Sequence, residues 1–274
     1  VSVLYCTAYM QFKSLFGAAA ALSVAAVVTT VIALRNRCVS RRTIRVSQLW
    51  VYPVKSCSGT PQAKLTVFPT GVEFDREWAI FRRRDLKFVS QRDTPRLKLI
   101  CASIVHKQSG SALRLCVVRN ARSLQEDSSV APIEIPIAVN RRDAIVADSI
   151  PISIWDLPGA VVDEGLDVAA WISRVVGDDV FLGRIVVSRN PAENERFSSV
   201  IPATGRAIAL QDFSPLHVCT EEGFSKIQSQ DPEPLKDDGI IDATRFRPNV
   251  VLNGVPFPEE DTWATFSIGR ILLR

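Results

Sequence analysis

The 274-residue sequence contains no C-x-x-C pair, no H-E-x-x-H and only two histidines, His106 and His217. Its six cysteines (Cys6, Cys38, Cys57, Cys101, Cys116 and Cys219) are scattered, which argues against a zinc ribbon, a thioredoxin-type motif or a dense disulfide framework. Histidine-rich metal chemistry is excluded as well. Neither G-x-G-x-x-G nor G-x-x-x-x-G-K-[ST] occurs, so a dinucleotide fold and a P-loop lack sequence support. Glycine (13) and proline (16) stand near background, which removes collagen-like and low-complexity architectures. Acidic residues are missing from residues 1–45, where Lys13, Arg35, Arg37, Arg41, Arg42 and Arg45 lie. Those six account for the net charge of +4, leaving 27 basic against 29 acidic side chains in the remainder. The body is not basic, and no nucleic-acid partner is expected.

What is present begins with a membrane segment. Leu15 to Leu34 is a run of twenty residues without a charge. As a helix rising about 1.5 Å per residue it is about 30 Å long, the thickness of a bilayer's hydrocarbon core. A signal-peptide core is shorter, roughly 7–15 residues, and no arginine cluster follows it. A buried helix is rarely apolar on every face for five turns. One lysine precedes the run and five arginines follow within eleven residues, which places the C-terminal body in the cytosol. The moderate, alanine-rich span suits the mitochondrial outer membrane, with the endoplasmic reticulum as the alternative. The only methionine is Met10, and residues 1–9 are expected to lie upstream of the natural start.

Beyond residue 43 the chain reads as many short strands. Ile44/Val46, Leu49/Val51, Leu65/Val67, Leu113/Leu115/Val117, Ile133/Ile135/Ile137 and Ile150/Ile152/Ile154 alternate with polar neighbours at period two. Apolar clusters also occur at Trp78–Phe81, Leu97–Val105 and Leu182–Val187. Ser58-Gly59, Thr70-Gly71, Ser109-Gly110 and Pro158-Gly159 are the turn signals between them. Such density suggests barrels or sandwiches. Asp167 is placed to cap a helix over Val168–Val176, whose Val168, Trp171, Ile172 and Val175 share one face. Thr220 is placed to cap a second helix beginning Glu221-Glu222. Ser188–Gly205 and Gln230–Asp242 read as polar loops.

Four clusters could carry chemistry. In Trp50-Val-Tyr-Pro-Val-Lys-Ser-Cys57 a strand ends on Lys55 and Ser56, a charge and a hydroxyl able to hold an anionic oxygen; taken alone, they are more simply a solvated strand end. In Phe74-Asp-Arg-Glu-Trp78 the arginine lies between acids, and a pair of Arg76 with Asp75 or Glu77 is of little worth if exposed. Ser90-Gln-Arg-Asp-Thr-Pro-Arg-Leu97 sets two arginines around a proline turn, where surface solubility competes with ligand binding. In Thr244-Arg-Phe-Arg-Pro-Asn-Val-Val-Leu252, Pro248 disfavours helix at Arg247 and predicts an extended segment entering a strand. At period two Arg245, Arg247 and Asn249 would share a face, a fork suited to phosphate and the edge of a planar heterocycle. A basic edge strand is the alternative.

In order and spacing these clusters resemble a known family. Tyr52-Pro-Val-Lys-Ser-Cys57, Asp75-Arg76 with Trp78, and Gln91-Arg92 with Pro95-Arg96-Leu97 resemble the N-terminal β-barrel that accompanies MOSC domains. Trp171-Ile172, Ser214-Pro215, and Arg245-Phe-Arg-Pro-Asn249 followed by Glu260-Asp261 and Trp263 resemble the MOSC domain itself. With the anchor, the chain is similar to the mitochondrial amidoxime-reducing type; cofactor sulfurases carry the same module behind a pyridoxal-phosphate domain. The resemblance implies a mainly β fold with a few helices (α+β), in which a MOSC N-terminal β-barrel (45–187) and an incomplete MOSC β-barrel (188–274) follow one transmembrane helix. Residues 1–14 would be a head, 15–34 the anchor and 35–44 a basic linker.

The resemblance further implies a molybdenum-molybdopterin cofactor between the two halves. Lys55, Ser56 and Arg76 would contact the pterin phosphate and its surroundings, Ser214 the dithiolene side, and Arg247 and Asn249 the pterin. It implies reduction of N-hydroxylated substrates, with electrons from a b-type cytochrome and an NADH-dependent flavoprotein reductase. The family's metal is held by a cysteine after the strand that follows the Glu-Asp-x-Trp motif. This chain stops at Gly269-Arg-Ile-Leu-Leu-Arg274, within that expected strand, and neither Cys57 nor Cys219 matches the ligand's place. The expected metal-ligating cysteine lies beyond the C-terminus, and the catalytic residue is not identified. The rival reading is a non-catalytic, membrane-anchored cofactor-binding scaffold or a sulfurase-related module.

Overall fold

The computed structural model describes residues 43–137, 149–154, 156–187, 208–212, 214–230 and 241–273. The predicted membrane span and both predicted polar loops lie largely or wholly outside them, as does the basic linker up to residue 42. Among the described residues no helix is long and apolar enough to cross a membrane. The chain divides into two compact units, Val1–Thr43 and Ile44–Arg274, and the strands described belong to the second.

Short strands dominate, as alternation at period two requires. β1 (Arg45–Val51), β2 (Thr60–Pro61), β12 (Val218–Thr220) and β13 (Val250–Asn253) make one sheet in the order β12-β13-β1-β2. A second contains β5 (Trp78–Arg82), β9 (Ile150–Ile154), β10 (Leu157–Asp163) and β11 (Val180–Val187) in the order β5-β11-β10-β9. β6 (Ile100–Lys107), β7 (Gly110–Val117) and β8 (Ile133–Pro136) form the third. Two hairpins pair β3 (Val67–Phe68) with β4 (Gly71–Val72) and β14 (Phe266–Ile268) with β15 (Ile271–Leu273).

On β7 Leu113 and Leu115 face inward with Ile100 and Ala102 of β6, and the helix α1 (Leu166–Val176) closes the same core with Val168, Trp171 and Ile172. Burial of each such large aliphatic side chain contributes about 1.5–3 kcal/mol. Trp78, with no exposed surface, satisfies its indole by donating to Glu164 Oε1 at 2.7 Å. Trp171 does the same toward the Ala131 carbonyl at 2.8 Å. Helix α2 (Glu221–Gln230) starts as expected: the Gly223 amide donates to Thr220 Oγ1 at 2.9 Å.

Three local expectations are corrected. Asp167 does not cap α1: Gly165, with φ 113, holds the N-cap and Asp167 sits in the first turn, where its charge still favours the helix dipole. Pro158-Gly159 is not a turn but part of β10; the chain reverses between Ile154 and Leu157, where Asp156 takes φ 64. Leu97–Leu99 is 3-10 helix rather than strand, begun by Pro95 in its first turn.

The topology brings three strand ends to one place. β1 runs antiparallel to β13 with Leu49 opposite Val250, so the residues leaving β1 lie beside those entering β13. β12 runs parallel to β13 with Val218 beside Val250, which puts His217 next to Asn249. A parallel bridge from Val54 to Trp78 sets the Lys55–Ser56 segment beside the entry to β5. Motifs separated by up to 194 positions in the chain, from Lys55 to Asn249, thereby meet.

Candidate functional site

At this junction Asp75 is the hub. Only 1% exposed, it lies just before β5, and its Oδ1 accepts from the Tyr52 amide at 3.0 Å and from Asn249 Nδ2 at 2.8 Å. Its other oxygen accepts from Arg76. The Asp75 carbonyl accepts from Gln211 Nε2 at 3.0 Å. A buried carboxylate with three donors is a fixed point around which cations can be set.

Arg76 is positioned from four sides. Its guanidinium donates to Asp75, to Asn249 Oδ1 at 3.2 Å and to the Arg247 carbonyl at 2.6 Å, and it lies over the Tyr52 ring at 4.8 Å. Asn249, 1% exposed, spans the β1–β13 seam: Oδ1 also accepts from the His217 amide at 3.1 Å, and Nδ2 also donates to the Trp50 carbonyl at 3.4 Å. Burial pushes the Tyr52 hydroxyl well above its ordinary value, against the pull of Arg76.

Arg247 stands next to this pair. The expected extended segment is corrected here. Asp242 caps a single helical turn, α3 (Ala243–Phe246), accepting from the Thr244 amide at 2.9 Å, and Arg247 ends it at φ 54, ψ 50. Arg245 and Phe246 are therefore exposed on the turn, while Arg247 turns back with Asn249 toward the junction. Gln91 receives it: Oε1 accepts from Arg247 Nη1 at 3.1 Å, while Gln91 Nε2 donates to the Ser56 carbonyl at 2.7 Å. Among the described residues no carboxylate pairs with Arg247. Burial, and then the charge of Arg76, hold its guanidinium below its usual value.

Lys55 is buried and donates to Asp212 Oδ1 at 2.7 Å, with its ammonium 5.4 Å from the Phe88 ring centre. Ser56, also buried, holds φ 67. Left-handed backbone at Ser56, Phe74, Arg76 and Arg247 collects non-glycine strain at this one junction, as functional sites do. The structure thus brings together Lys55, Ser56, Arg76, Arg247 and Asn249. Ser214 is not drawn into the network; it is exposed and its hydroxyl donates to the Leu216 carbonyl at 3.0 Å.

Three participants were not assigned to the site from the sequence. Asp75 stood there in the Asp75-Arg76 motif and as one arm of an ion pair; Glu77, the other candidate arm, instead meets Arg184 at 3.4 Å. In the third cluster Gln91 reaches the site, and Arg92 and Arg96 are exposed. His217 adjoins it, its Nε2 3.4 Å from Cys219 Sγ. Desolvation of the ring, and then Arg76, push the imidazole below its usual value, although the residue as a whole reaches solvent.

Chemically, the cluster is an ammonium, two guanidiniums, an amide and a hydroxyl, the donor set for a phosphate and the polar edge of a heterocycle. No group of three His, Cys, Asp or Glu side chains fit to hold a metal occurs among the described residues. Cys57 is wholly buried and burial pushes its thiol up to about 12, while Cys219 is pushed up to about 11.

Comparison with known proteins adds a family profile, described as the MOSC N-terminal beta barrel domain, which matches residues 43–179, half of the chain. The human protein named mitochondrial amidoxime reducing component 2 is 27% identical over 263 residues, covering 92% of this chain and 70% of that protein. Human mitochondrial amidoxime-reducing component 1 is 26% identical, covering 88% of this chain and 65% of that protein. Human molybdenum cofactor sulfurase is 25% identical over 82% of this chain, which spans only 24% of the sulfurase's length.

Proposed function

The chain belongs to the MOSC N-terminal beta barrel domain family, and from that premise we propose that its strand-end cluster holds the anionic part of a molybdenum-molybdopterin cofactor, in an oxidoreductase acting on N-hydroxylated substrates. The observation that carries the reading is Arg247, a half-buried guanidinium set beside Arg76 with no carboxylate partner among the described residues. Two adjacent guanidiniums repel each other, and an anion between them relieves both that repulsion and the desolvation of Arg247. Lys55 would take a phosphate oxygen by charge, with Ser56 beside it. Asn249 and Arg247 would meet the polar edge of the pterin. Asp75 and Gln91 would keep Arg76 and Arg247 aimed, so that little reorganisation accompanies binding. The bound group would supply two-electron oxygen-atom transfer.

Membrane attachment through residues 15–34, at the mitochondrial outer membrane with the body in the cytosol, belongs to the same proposal. Electrons would come from a b-type cytochrome and an NADH-dependent flavoprotein reductase. The names of the amidoxime-reducing relatives support the mitochondrial location and the substrate class.

A second reading, a non-catalytic scaffold or sulfurase-related module, is supported by the sulfurase similarity. The natural full-length protein purified in detergent distinguishes them. Reconstituted with a b-type cytochrome, its flavoprotein reductase and NADH, it should convert an amidoxime to the amidine. Bound pterin without turnover would favour the scaffold, and absence of both would refute the cradle itself.

A further inference from the structure

On the far face of the β6–β7 hairpin, Cys101 stands directly opposite Cys116. Residues two apart share a face of a strand. Leu113 and Leu115 of β7 enter the main core, so Arg114, Cys116 and Val118 occupy the other face. There the two cysteines, Val118 and Leu124 form a small separate cluster, with both thiols free. The Val118 amide donates to the Leu99 carbonyl at 2.8 Å, and the alternation of an antiparallel ladder makes Cys101–Cys116 a hydrogen-bonded pair as well.

Cα atoms of such a pair lie about 5.5 Å apart, inside the roughly 4.4–6.8 Å window that a disulfide spans. The β-carbons of facing residues, about 4.5–5.5 Å apart, start wider than the roughly 3.5–4.5 Å of a relaxed bridge. A bond here would pull the strands together and would be readily reduced, which suits a reversible bond rather than a permanent brace.

The two thiols are unequal. The Cys116 thiol donates to the Cys101 carbonyl at 3.8 Å, and the neighbouring Cys101 thiol, then Arg114, hold Cys116 below its ordinary value against burial and the charge of Glu126. Arg114 is itself fixed by a two-point bond to Glu126, at 2.8 Å and 2.8 Å. The Cys101 thiol donates to the Gly59 carbonyl at 3.7 Å, and the facing Cys116 sulfur, then burial, push it up. Both residues are buried, so only a small oxidant reaches them, and of the two Cys116 has the surroundings that favour the thiolate.

We propose that Cys101 and Cys116 are a redox pair that closes to an intrachain disulfide on exposure to a small peroxide. The Cys116 thiolate attacks one oxygen of hydrogen peroxide, the O–O bond breaks, and hydroxide leaves a sulfenic acid behind. The Cys101 sulfur attacks that sulfur, forming the S–S bond. The hydroxyl departs as water with the Cys101 proton, and the proton first lost by Cys116 neutralises the hydroxide. Two thiols and one peroxide give one disulfide and two waters; the sulfurs lose the two electrons that the peroxide gains.

The test treats the reduced full chain with hydrogen peroxide, blocks remaining thiols with N-ethylmaleimide, digests it without reduction and maps the peptides by mass. The expected result is a Cys101–Cys116 linked pair lighter by two hydrogens, restored by dithiothreitol and formed equally in Cys57→Ser. Cys101→Ser should stop at a Cys116 sulfenic acid that dimedone traps. The urea-unfolded chain should lose the preference. Unchanged labelling of both cysteines, a link from either to another cysteine, or the same preference after unfolding would overturn the proposal.

Discussion

Replacing Asp75 by alanine removes the acceptor on which the junction is built. The Tyr52 amide and one Asn249 amide hydrogen lose their partner, and Arg76, its side chain 12% exposed, loses its counter-ion. Breaking one member out of a buried charge pair costs about 3–5 kcal/mol. Each buried donor left unpaired costs about 1–3 kcal/mol, and since the three share one carboxylate these costs overlap rather than add. The expected loss is therefore about 4–5 kcal/mol, a large part of the roughly 5–15 kcal/mol of a typical domain. Asp75→Asn keeps the shape and one acceptor oxygen while losing the charge, so it should cost about 1–3 kcal/mol. Urea unfolding of the full chain, followed by tryptophan fluorescence, measures both. Alanine and asparagine variants equal to each other, or alanine within about 1 kcal/mol of wild type, would refute the hub.

Thr220→Val removes the acceptor for the Gly223 amide at the start of α2 and should cost about 0.5–2 kcal/mol in the same assay. Gly59→Ala would set a Cβ 2.1 Å from the Val51 carbonyl oxygen and 2.6 Å from the Tyr52 ring. It should destabilise by about 1–3 kcal/mol or more, and disturb the near-ultraviolet circular dichroism of Tyr52 and Trp50. His217 is depressed in the folded state, so between its folded value and the ordinary 6.5 the unfolded chain binds more protons. Its contribution is complete above pH 6.5 and is lost as pH falls through that window; His217→Gln should flatten the pH dependence of stability there.

Much of the site was legible because charge and spacing survive in sequence. Lys55, Ser56, Arg76 and Asn249 sit at strand ends, where period-two patterns stop and side chains are released from the ladder. The course of 242–249 was not legible from Pro248 alone. That proline forbids helix at Arg247 but leaves the preceding residues free, and Asp242 with Thr244 supplies a capping bond that closes a turn. Arg245 and Arg247 consequently part company. The role of Asp75 was not legible for a different reason: an acid beside an arginine looks like a surface pair, and only the β1–β13 register reveals that Asn249 and Tyr52 close over it. Cysteine spacing likewise hid the facing of Cys101 and Cys116, since hairpin register depends on where β6 and β7 turn.

The central claim, that the paired guanidiniums hold an anionic pterin, is tested most directly by the cofactor each variant carries. Pterin is released oxidatively from the purified full chain and quantified by fluorescence, with molybdenum measured alongside. Arg247→Ala removes one charged, hydrogen-bonded contact, about 1.5–3 kcal/mol, or roughly ten- to a hundredfold in affinity. Arg84→Ala, on an exposed turn, touches nothing in the cluster. The account predicts a deep loss of pterin from the Arg247 variant and none from the Arg84 variant, with both folded. Equal pterin in the two, or none in the wild type, would contradict it.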